Sequence, residues 1–300
     1  DVYKRQRVQG GDELTLAWHR APGRRPRSSG NGDGNDGTTL PTQGYGQLVG
    51  YYAPVKRLVI ADAHVGQRGG DASEMARLVR ALPASGFTEL IYLGDAFQYL
   101  IGMSKFWTGA VHEVMAAWDV ARSGGLRIGL IEGNRDFFLE EKDLLERVDW
   151  TGRIFEFDAG PRRYRLDHGD RVNLRDLQYQ FWSRFSKSAL ARAWARLLPR
   201  SMAVGIVRAM EARLAKTNQR FRYHTPERAL HRSAGRAWAD GVDVLLWGHF
   251  HRWWQYSDGE RQALVVPAWL DTTQSLAVDA DGEWSFVDVR LAPCDPPPPP

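Results

Sequence analysis

Five short polar clusters hold side chains of the types that can bind metal ions: Asp62-Ala63-His64, Gly94-Asp95, Gly133-Asn134-Arg135-Asp136, His168-Gly169-Asp170 and Gly248-His249-Phe250-His251. Imidazole mixed with carboxylate suits Mn, Fe, Zn or Co better than Ca or Mg. Asp62, His64, Asp95, Asn134, His168, His249 and His251 exceed the three or four protein ligands of one zinc ion. With one carboxylate shared, they suit two ions roughly 3.5–4 Å apart, an arrangement that serves in-line attack at phosphorus. Each cluster alone has a bland reading. A Gly-Asp after a strand is often only a turn, and a lone histidine is often a satisfied core residue. Gly248-His249-Phe250-His251 says more, because His249 and His251 point to one side if the chain there is extended. His19, His112, His224 and His231 fall outside the clusters and read as tail, helix surface or core.

Each cluster follows an apolar run. Arg57–Ala61, Glu89–Leu93 and Leu126–Ile131 read as buried strands, with helices predicted over 73–82 and 104–122 between them. Further strands are predicted at 153–157, 163–167, 242–247, 253–256 and 263–266, with two short ones near the end. Strands alternating with helices imply an α/β fold, and ligands in such folds bind at the carboxyl ends of strands. All five clusters can therefore converge on one site, although they span most of the chain.

The remaining sequence sets the frame. The 300 residues are 43% hydrophobic and 25% charged, which fits a globular protein with a sizeable core. No apolar run reaches the roughly 18 residues of a membrane span. The single cysteine, Cys294, excludes an internal disulfide framework. Residue 1 is Asp, and the visible N-terminus has no signal-type apolar core. Residues 1–46 read as a disordered, Gly- and Asn-rich extension, and 292–300 as a proline-rich tail. The core covers 47–170 and 241–291. Residues 171–240 read as a helical insertion that caps it. Between 171 and 232, fourteen Arg or Lys stand against Asp176, Glu211 and Glu227 alone. That imbalance points to an anionic partner (phosphate, nucleic acid or lipid surface) or else to a solvated helical face. Within the cap, Phe181, Trp182, Phe185, Leu190, Trp194, Leu197 and Leu198 interleave with Arg184, Lys187, Arg192, Arg196 and Arg200. Val207, Met210 and Leu214 follow on a second helix. The pattern suits an interfacial helix on anionic lipid or an acyl pocket, and equally an apolar stripe packed on the core.

The series Asp62-x-His64, Gly94-Asp95, Gly133-Asn134, His168-Gly169 and Gly248-His249-x-His251 resembles the calcineurin-like metallophosphoesterases. The spelling Gly133-Asn134-Arg135-Asp136-Phe137 is similar to their UDP-2,3-diacylglucosamine diphosphatase branch, which serves lipid A biosynthesis. Leu93–Phe97 and Gly248–Arg252 support this, as does Tyr179 downstream of His168-Gly169-Asp170. Gln98 departs from the acidic residue usual there, and Phe250 and Val65-Gly66 depart as well. The resemblance covers about residues 57–290. It implies two central mixed β-sheets flanked by helices, with an inserted helical cap that receives acyl chains.

It implies, too, that one ion is held by Asp62, His64, Asp95 and His251, and a second by Asp95, Asn134, His168 and His249, with Asp95 bridging. Two divalent ions are expected, Mn first, with Fe, Zn and Co as alternatives. Asp95, Asn134, Arg135 and His249 are the implied catalytic residues; Asn134, Arg135, Tyr179, Arg213 and Lys216 are the implied substrate contacts. The substrate would be a UDP-linked acylated glucosamine lipid at the cytoplasmic face of the inner membrane of a Gram-negative-type bacterium, with no nucleic-acid partner. Arg135 cannot act as a general acid at neutral pH, but it can grip phosphate in a fork. A phosphate leaving group, with a second pKa near 6, departs without a proton, so arginine here favours diphosphate over monoester cleavage. Pairing of Arg135 with Asp136 or another carboxylate stays open, as do a nuclease or other phosphoesterase and a scaffold without activity.

Overall fold

A computed structural model describes residues 55–172, 188–217 and 226–297, and side chains within these except over 211–217. The expected N-terminal extension and Tyr179, Phe181, Trp182 and Phe185 lie outside the described residues, as do the side chains of Arg213 and Lys216.

Strands β1 (Arg57–Ile60), β2 (Glu89–Tyr92) and β4 (Arg127–Ile131) run parallel at the centre of a seven-stranded sheet. Short β6 (Trp150–Gly152) closes one edge, and β12 (Ser275–Val278), β13 (Trp284–Val287) and β14 (Pro293–Cys294) the other. The expected tail from 292 thus starts as an edge strand, with Cys294 opposite Phe286. A five-stranded sheet holds β7 (Ile154–Ala159), β8 (Arg162–Asp167), β9 (Val244–Trp247), β10 (Trp254–Asp258) and β11 (Arg261–Val265). β8, β9 and β11 are parallel. Both sheets are mixed and flanked by helices, as expected.

The period-2 alternation of strand side chains builds the layers. Leu58, Ile60, Leu90 and Tyr92 face helices α1 (Asp71–Ala81) and α2 (Gly109–Ser123). Val59, Ala61, Ile91 and Leu93 face the other way and meet Tyr164, Leu166, Val244 and Leu246 of the second sheet. Leu245 and Trp247 pack outward with Leu230, Ala234 and Trp238. Each fully buried side chain of this kind contributes about 1.5–3 kcal/mol. The helix expected over 104–122 is broken: Ser104–Phe106 forms a 3-10 turn, and α2 starts at Gly109. The break is the extended backbone of Trp107 and Thr108, while Asp143, on the short helix α3 (Lys142–Leu145), takes the Ser104 amide at 2.7 Å at the start of the turn.

Register sets where strands end. Glu89 lies opposite Arg57 and Arg127 at the amino ends, and Tyr92 opposite Ile60 and Leu130 near the carboxyl ends. Asp167 lies opposite Trp247. The polar clusters therefore leave their strands level with one another. Beyond them, β3 (Leu100–Ile101) and β5 (Asp136–Phe137) form a parallel ribbon. Among the described residues the cap segment gives helices α4 (Ala189–Leu197), α5 (Arg200–Thr217) and α6 (Glu227–Ala239). A final turn, α7, spans Trp269–Thr272.

Candidate metal centre

All seven expected ligands come together at the strand ends. Asp62, His64, Asp95 and His168 are buried; Asn134, His249 and His251 are half-buried. On one side, Asp62 Oδ1 lies 3.5 Å from His251 Nε2 and 3.9 Å from His64 Nε2, and His64 Nε2 lies 3.8 Å from Asp95 Oδ2. On the other, His168 Nε2 lies 3.8 Å from Asp95 Oδ1 and 3.1 Å from Asn134 Oδ1, which is 3.1 Å from His249 Nδ1. The two oxygens of Asp95 thus face two different sets. Bonds of about 2.1 Å to a common ion place neighbouring ligand atoms at such separations.

The backbone explains the convergence. Asp62, His64, Asp95, His249 and His251 all have φ between 45° and 65°. This left-handed region costs a residue with a β-carbon about 1–2 kcal/mol, and such strain gathers at functional sites. His249 and His251 do not sit on extended chain, the condition under which the sequence points both to one side. Phe250 donates its N–H to the Gly248 carbonyl at 2.7 Å, and Arg252 donates to Phe250 at 2.8 Å. Two successive γ-turns aim both rings inward, where a regular strand would have carried them past the site.

Neighbours hold each group in place. The Leu93 carbonyl accepts from His168 Nδ1 at 2.9 Å, which leaves Nε2 facing Asn134. Asp62 Oδ2 accepts the His249 amide at 2.7 Å, and Asp95 Oδ1 accepts the Arg135 amide at 2.9 Å. Asp136 takes the amides of Asp95 and Gly133 at 2.9 and 2.8 Å. Asp71 holds the loop behind His64 through the amides of Gly66 and Arg68. These last two carboxylates carry no distinctive sequence signal beyond an Asp two places after Gly-Asn and an Asp behind Gly69-Gly70.

The donor set fits divalent cations. Asp62 Oδ1 is buried, with no hydrogen-bond donor among the described residues, and faces two imidazole nitrogens. Burial raises the Asp62 carboxyl above the usual range, against the pull of His251 and His168. Burial opposes charge on His168 too, yet Asp95, Asp62 and Asp170 push it up to about 9. Burial, with the charge of His168, drives His249 down to about 4. Carboxylates packed among imidazoles this closely suit a shared cation. Asp62, His64 and His251 could hold one ion, and Asp62, Asp95 and His168 could hold another.

Arg135 is buried at the rim. Its guanidinium donates to Gln98 Oε1 at 2.8 Å and stands 3.8 Å from Asp95 Oδ2. The sequence left open a pairing with Asp136 or another carboxylate; Asp136 accepts backbone amides, and the carboxylate beside the guanidinium is Asp95. Gln98, seen in the sequence only as a departure, is the residue that holds the arginine.

From Arg135 and Asp136 the ribbon leads to an apolar groove of about 520 Å³, lined by Ile101, Phe106, Phe137, Phe138, Trp194 and Met210, among others. Ala195, Ala203 and Val207 pack from the cap onto Tyr99, Met103, Phe106 and Phe138. Arg192 and Arg196 are not a free cationic face: Arg192 pairs with Glu140 and Glu141, and Arg196 with Glu141 at 2.9 Å. Lys105 Nζ donates to the Arg196 and Leu198 carbonyls, both at 2.8 Å, and so caps the end of α4. Leu190, Trp194, Leu197 and Met202 remain exposed. No helix among the described residues is long and apolar enough to cross a membrane.

No family model matches the chain. A UDP-2,3-diacylglucosamine hydrolase of Aeromonas salmonicida is 31% identical over 206 residues, 65% of this chain and 77% of that protein. Another, from Stenotrophomonas maltophilia, is 29% identical over 246 residues, 76% and 96% of the two chains. A solved dimetal phosphatase from Danio rerio aligns at TM-score 0.40 and 15% identity, over 78% of this chain and 99% of that one. With a relative above 30% identical along most of that relative's length, the chain belongs to the UDP-2,3-diacylglucosamine hydrolase family.

Proposed function

We propose that the protein hydrolyses the diphosphate bond of UDP-2,3-diacylglucosamine, giving UMP and 2,3-diacylglucosamine 1-phosphate. The observation that carries this reading is the continuity of one β3–β5 ribbon, with Arg135 and Asp136 at the ligand cluster at its start and Ile101, Phe137 and Phe138 in the apolar groove at its end. A substrate with a diphosphate at one end and acyl chains at the other matches that order of charge and hydrocarbon.

Asp62, His64, Asp95 and His251 would hold one divalent ion, and Asp95, Asn134, His168 and His249 the second, with Mn the expected metal. Such ions supply a hydroxide nucleophile at neutral pH and take up charge from phosphoryl oxygens. The chain's own residues do the rest. Arg135 holds the phosphate that leaves, and its permanent charge stabilises that group without giving a proton. Asn134 and His249 stay within hydrogen-bond reach of one another at the same rim and orient the other phosphate. Tyr179, Arg213 and Lys216 are assigned to the substrate's polar parts. Exposed Leu190, Trp194, Leu197 and Met202 support association with the inner-membrane surface from which such a lipid would be drawn. In the reaction, a water oxygen adds to the uridine-side phosphorus, the bond from that phosphorus to the bridging oxygen breaks, and the bridging oxygen leaves with the lipid phosphate.

The test is hydrolysis of UDP-2,3-diacylglucosamine in oxygen-18 water by protein stripped with chelator and reloaded with Mn. The label should enter UMP alone. Label in the lipid phosphate refutes the site of attack. Hydrolysis of bis(p-nitrophenyl) phosphate or single-stranded nucleic acid without attack on the lipid points to another phosphoesterase. Hydrolysis of nothing, with ions bound, points to a scaffold.

A further inference from the structure

An imidazole that offers one ring nitrogen to a metal is oriented by what its other nitrogen meets, commonly a carboxylate or a carbonyl oxygen. His168 follows this rule through the Leu93 carbonyl, which accepts from Nδ1 at 2.9 Å. For His251 the corresponding place is filled from outside the five polar clusters. Its Nε2 lies 3.5 Å from Asp62 Oδ1, and its Nδ1 lies 3.5 Å from Asp271 Oδ2. Nδ1 is buried and has no hydrogen bond among the described residues, so the Asp271 carboxylate stands as an acceptor beside an unsatisfied nitrogen. A 3.5 Å separation is long for a hydrogen bond, and a small turn of the Asp271 side chain, 43% exposed, closes it. That exposure keeps the carboxylate hydrated, so it serves Nδ1 without the cost of another buried charge.

The backbone mounts Asp271 on the ligand loops themselves. After β11 the chain enters α7, whose cap residue Ala268 donates its amide to the His251 carbonyl at 3.0 Å. Trp269 donates to the Ala61 carbonyl at 2.9 Å, and Ala61 and Ala268 form a parallel bridge. Trp269 is fully buried, which locks the turn to the core. The Asp271 amide donates back to Ala268 at 3.1 Å. One turn thus joins the Asp62 segment to the His251 segment and carries the carboxylate between them. Ring stacking supplies a different constraint. The His64 and His251 rings lie 5.3 Å apart at 26°, which sets the plane of the His251 ring but not which edge faces Asp62. A half-turn about χ2 keeps that plane and puts a carbon, Cε1, where Nε2 stands. Asp271 selects against it, because the flipped ring would offer the carboxylate a C–H in place of Nδ1–H.

We propose that Asp271 is a positioning residue of the metal centre: its carboxylate accepts from His251 Nδ1–H and so holds Nε2 towards Asp62, ready for a divalent ion. This rests on the proposed function only in placing an ion at Asp62, His64 and His251, and not on the identity of the substrate.

The experiment uses the full chain stripped with chelator, with Mn as the probe and calorimetry for affinity. D271A should weaken one Mn site by about tenfold or more, the scale of a lost outer partner, and leave the other within twofold of wild type. Nitrogen-15 spectra of the histidine rings in the metal-free chain give a readout that a merely structural role would not move. Assigned with H251Q, neutral His251 should carry its proton on Nδ1 in wild type and populate both tautomers in D271A, with His168 unchanged. The amide of D271N can accept from Nδ1 or donate to it, so D271N should also populate both tautomers, with a smaller loss of affinity of about threefold. The same single tautomer of His251 in wild type and D271A overturns the proposal. So does Mn binding by D271A within twofold of wild type at both sites, or an equal loss at both. If D271A does not fold, D271N decides by the same two readouts. Failure of the wild-type chain to bind Mn refutes the metal reading and leaves the tautomer to judge Asp271.

Discussion

Gly94 offers a clean measure of how tightly the second ligand set is built. It follows β2, has φ of 84°, and precedes the carboxylate that faces both sets. A β-carbon there would lie 2.9 Å from His168 Cε1 and closer still to Cγ and Nδ1, the nitrogen that donates to Leu93. Gly94→Ala therefore carries two costs. The left-handed backbone costs about 1–2 kcal/mol. Relief of the clash, by moving a buried ring, costs about 1–3 kcal/mol more. Gly241 provides the control, since its φ is 85° and a β-carbon there meets nothing within 4 Å. Gly241→Ala should show the backbone cost alone. For a chain of this size each kcal/mol lowers the melting temperature by roughly 2–4 °C. Chemical denaturation of the metal-free variants should thus rank wild type, Gly241→Ala and Gly94→Ala in falling order. Metal binding should then separate them further. A displaced His168 should weaken one ion by about tenfold or more, the scale seen when ligand orientation is disturbed. At ion concentrations near 100 times the wild-type Kd, bound metal adds about 2.7 kcal/mol of stability. A tenfold weaker site would give about half of that. Gly241→Ala should keep the wild-type metal content. Equal stability and equal metal affinity in the two variants would refute the close approach of Gly94 to His168.

Three further outcomes follow from named contacts. Asp95→Asn removes a carboxylate whose two oxygens face different imidazole sets, so metal affinity should fall by about 10–100-fold or more and turnover should be lost with the fold kept; full activity with two ions bound would exclude the bridge. The Ser104 hydroxyl and amide hold the Asp143 carboxyl below the usual range, so its stabilisation is present above the ordinary carboxylate pKa and is lost as pH falls through its lowered value in the folded chain; denaturation at neutral and at strongly acid pH should show wild type ahead of Asp143→Asn at neutral pH and the gap closing in acid, and a gap independent of pH would refute it. Trp194→Glu places a charge in the apolar groove and should raise KM for the diacylated substrate while hydrolysis of bis(p-nitrophenyl) phosphate stays unchanged; equal effects on both would show that the groove does not receive acyl chains.

Much of the fold and the ligand set is legible in the sequence for one physical reason. Buried parallel strands need continuous apolar runs, and their carboxyl ends are where polar residues can stand. RLVI, ELIY and RIGLI announce β1, β2 and β4, and the Asp, His and Asn behind them announce the site. What the sequence hides is the conformation that closes it. Asp and His do not advertise a left-handed φ as glycine does, so the γ-turns at His249 and His251 read as a plain strand end. Long-range partners hide as well. Gln98 lies 37 residues from Arg135, and Glu141 lies 55 from Arg196, so neither pairing has a local pattern. The arginines of α4 look in sequence like a surface for anions. Two of them instead clamp the cap to the loop that follows Phe138, and that loop continues directly from Asn134 and Arg135. The basic block and the polar motif, read separately along the chain, are therefore joined in one mechanical unit: the Asp/His cluster at one end of a short ribbon, the apolar groove at the other, and the cap helix pinned to the segment between them.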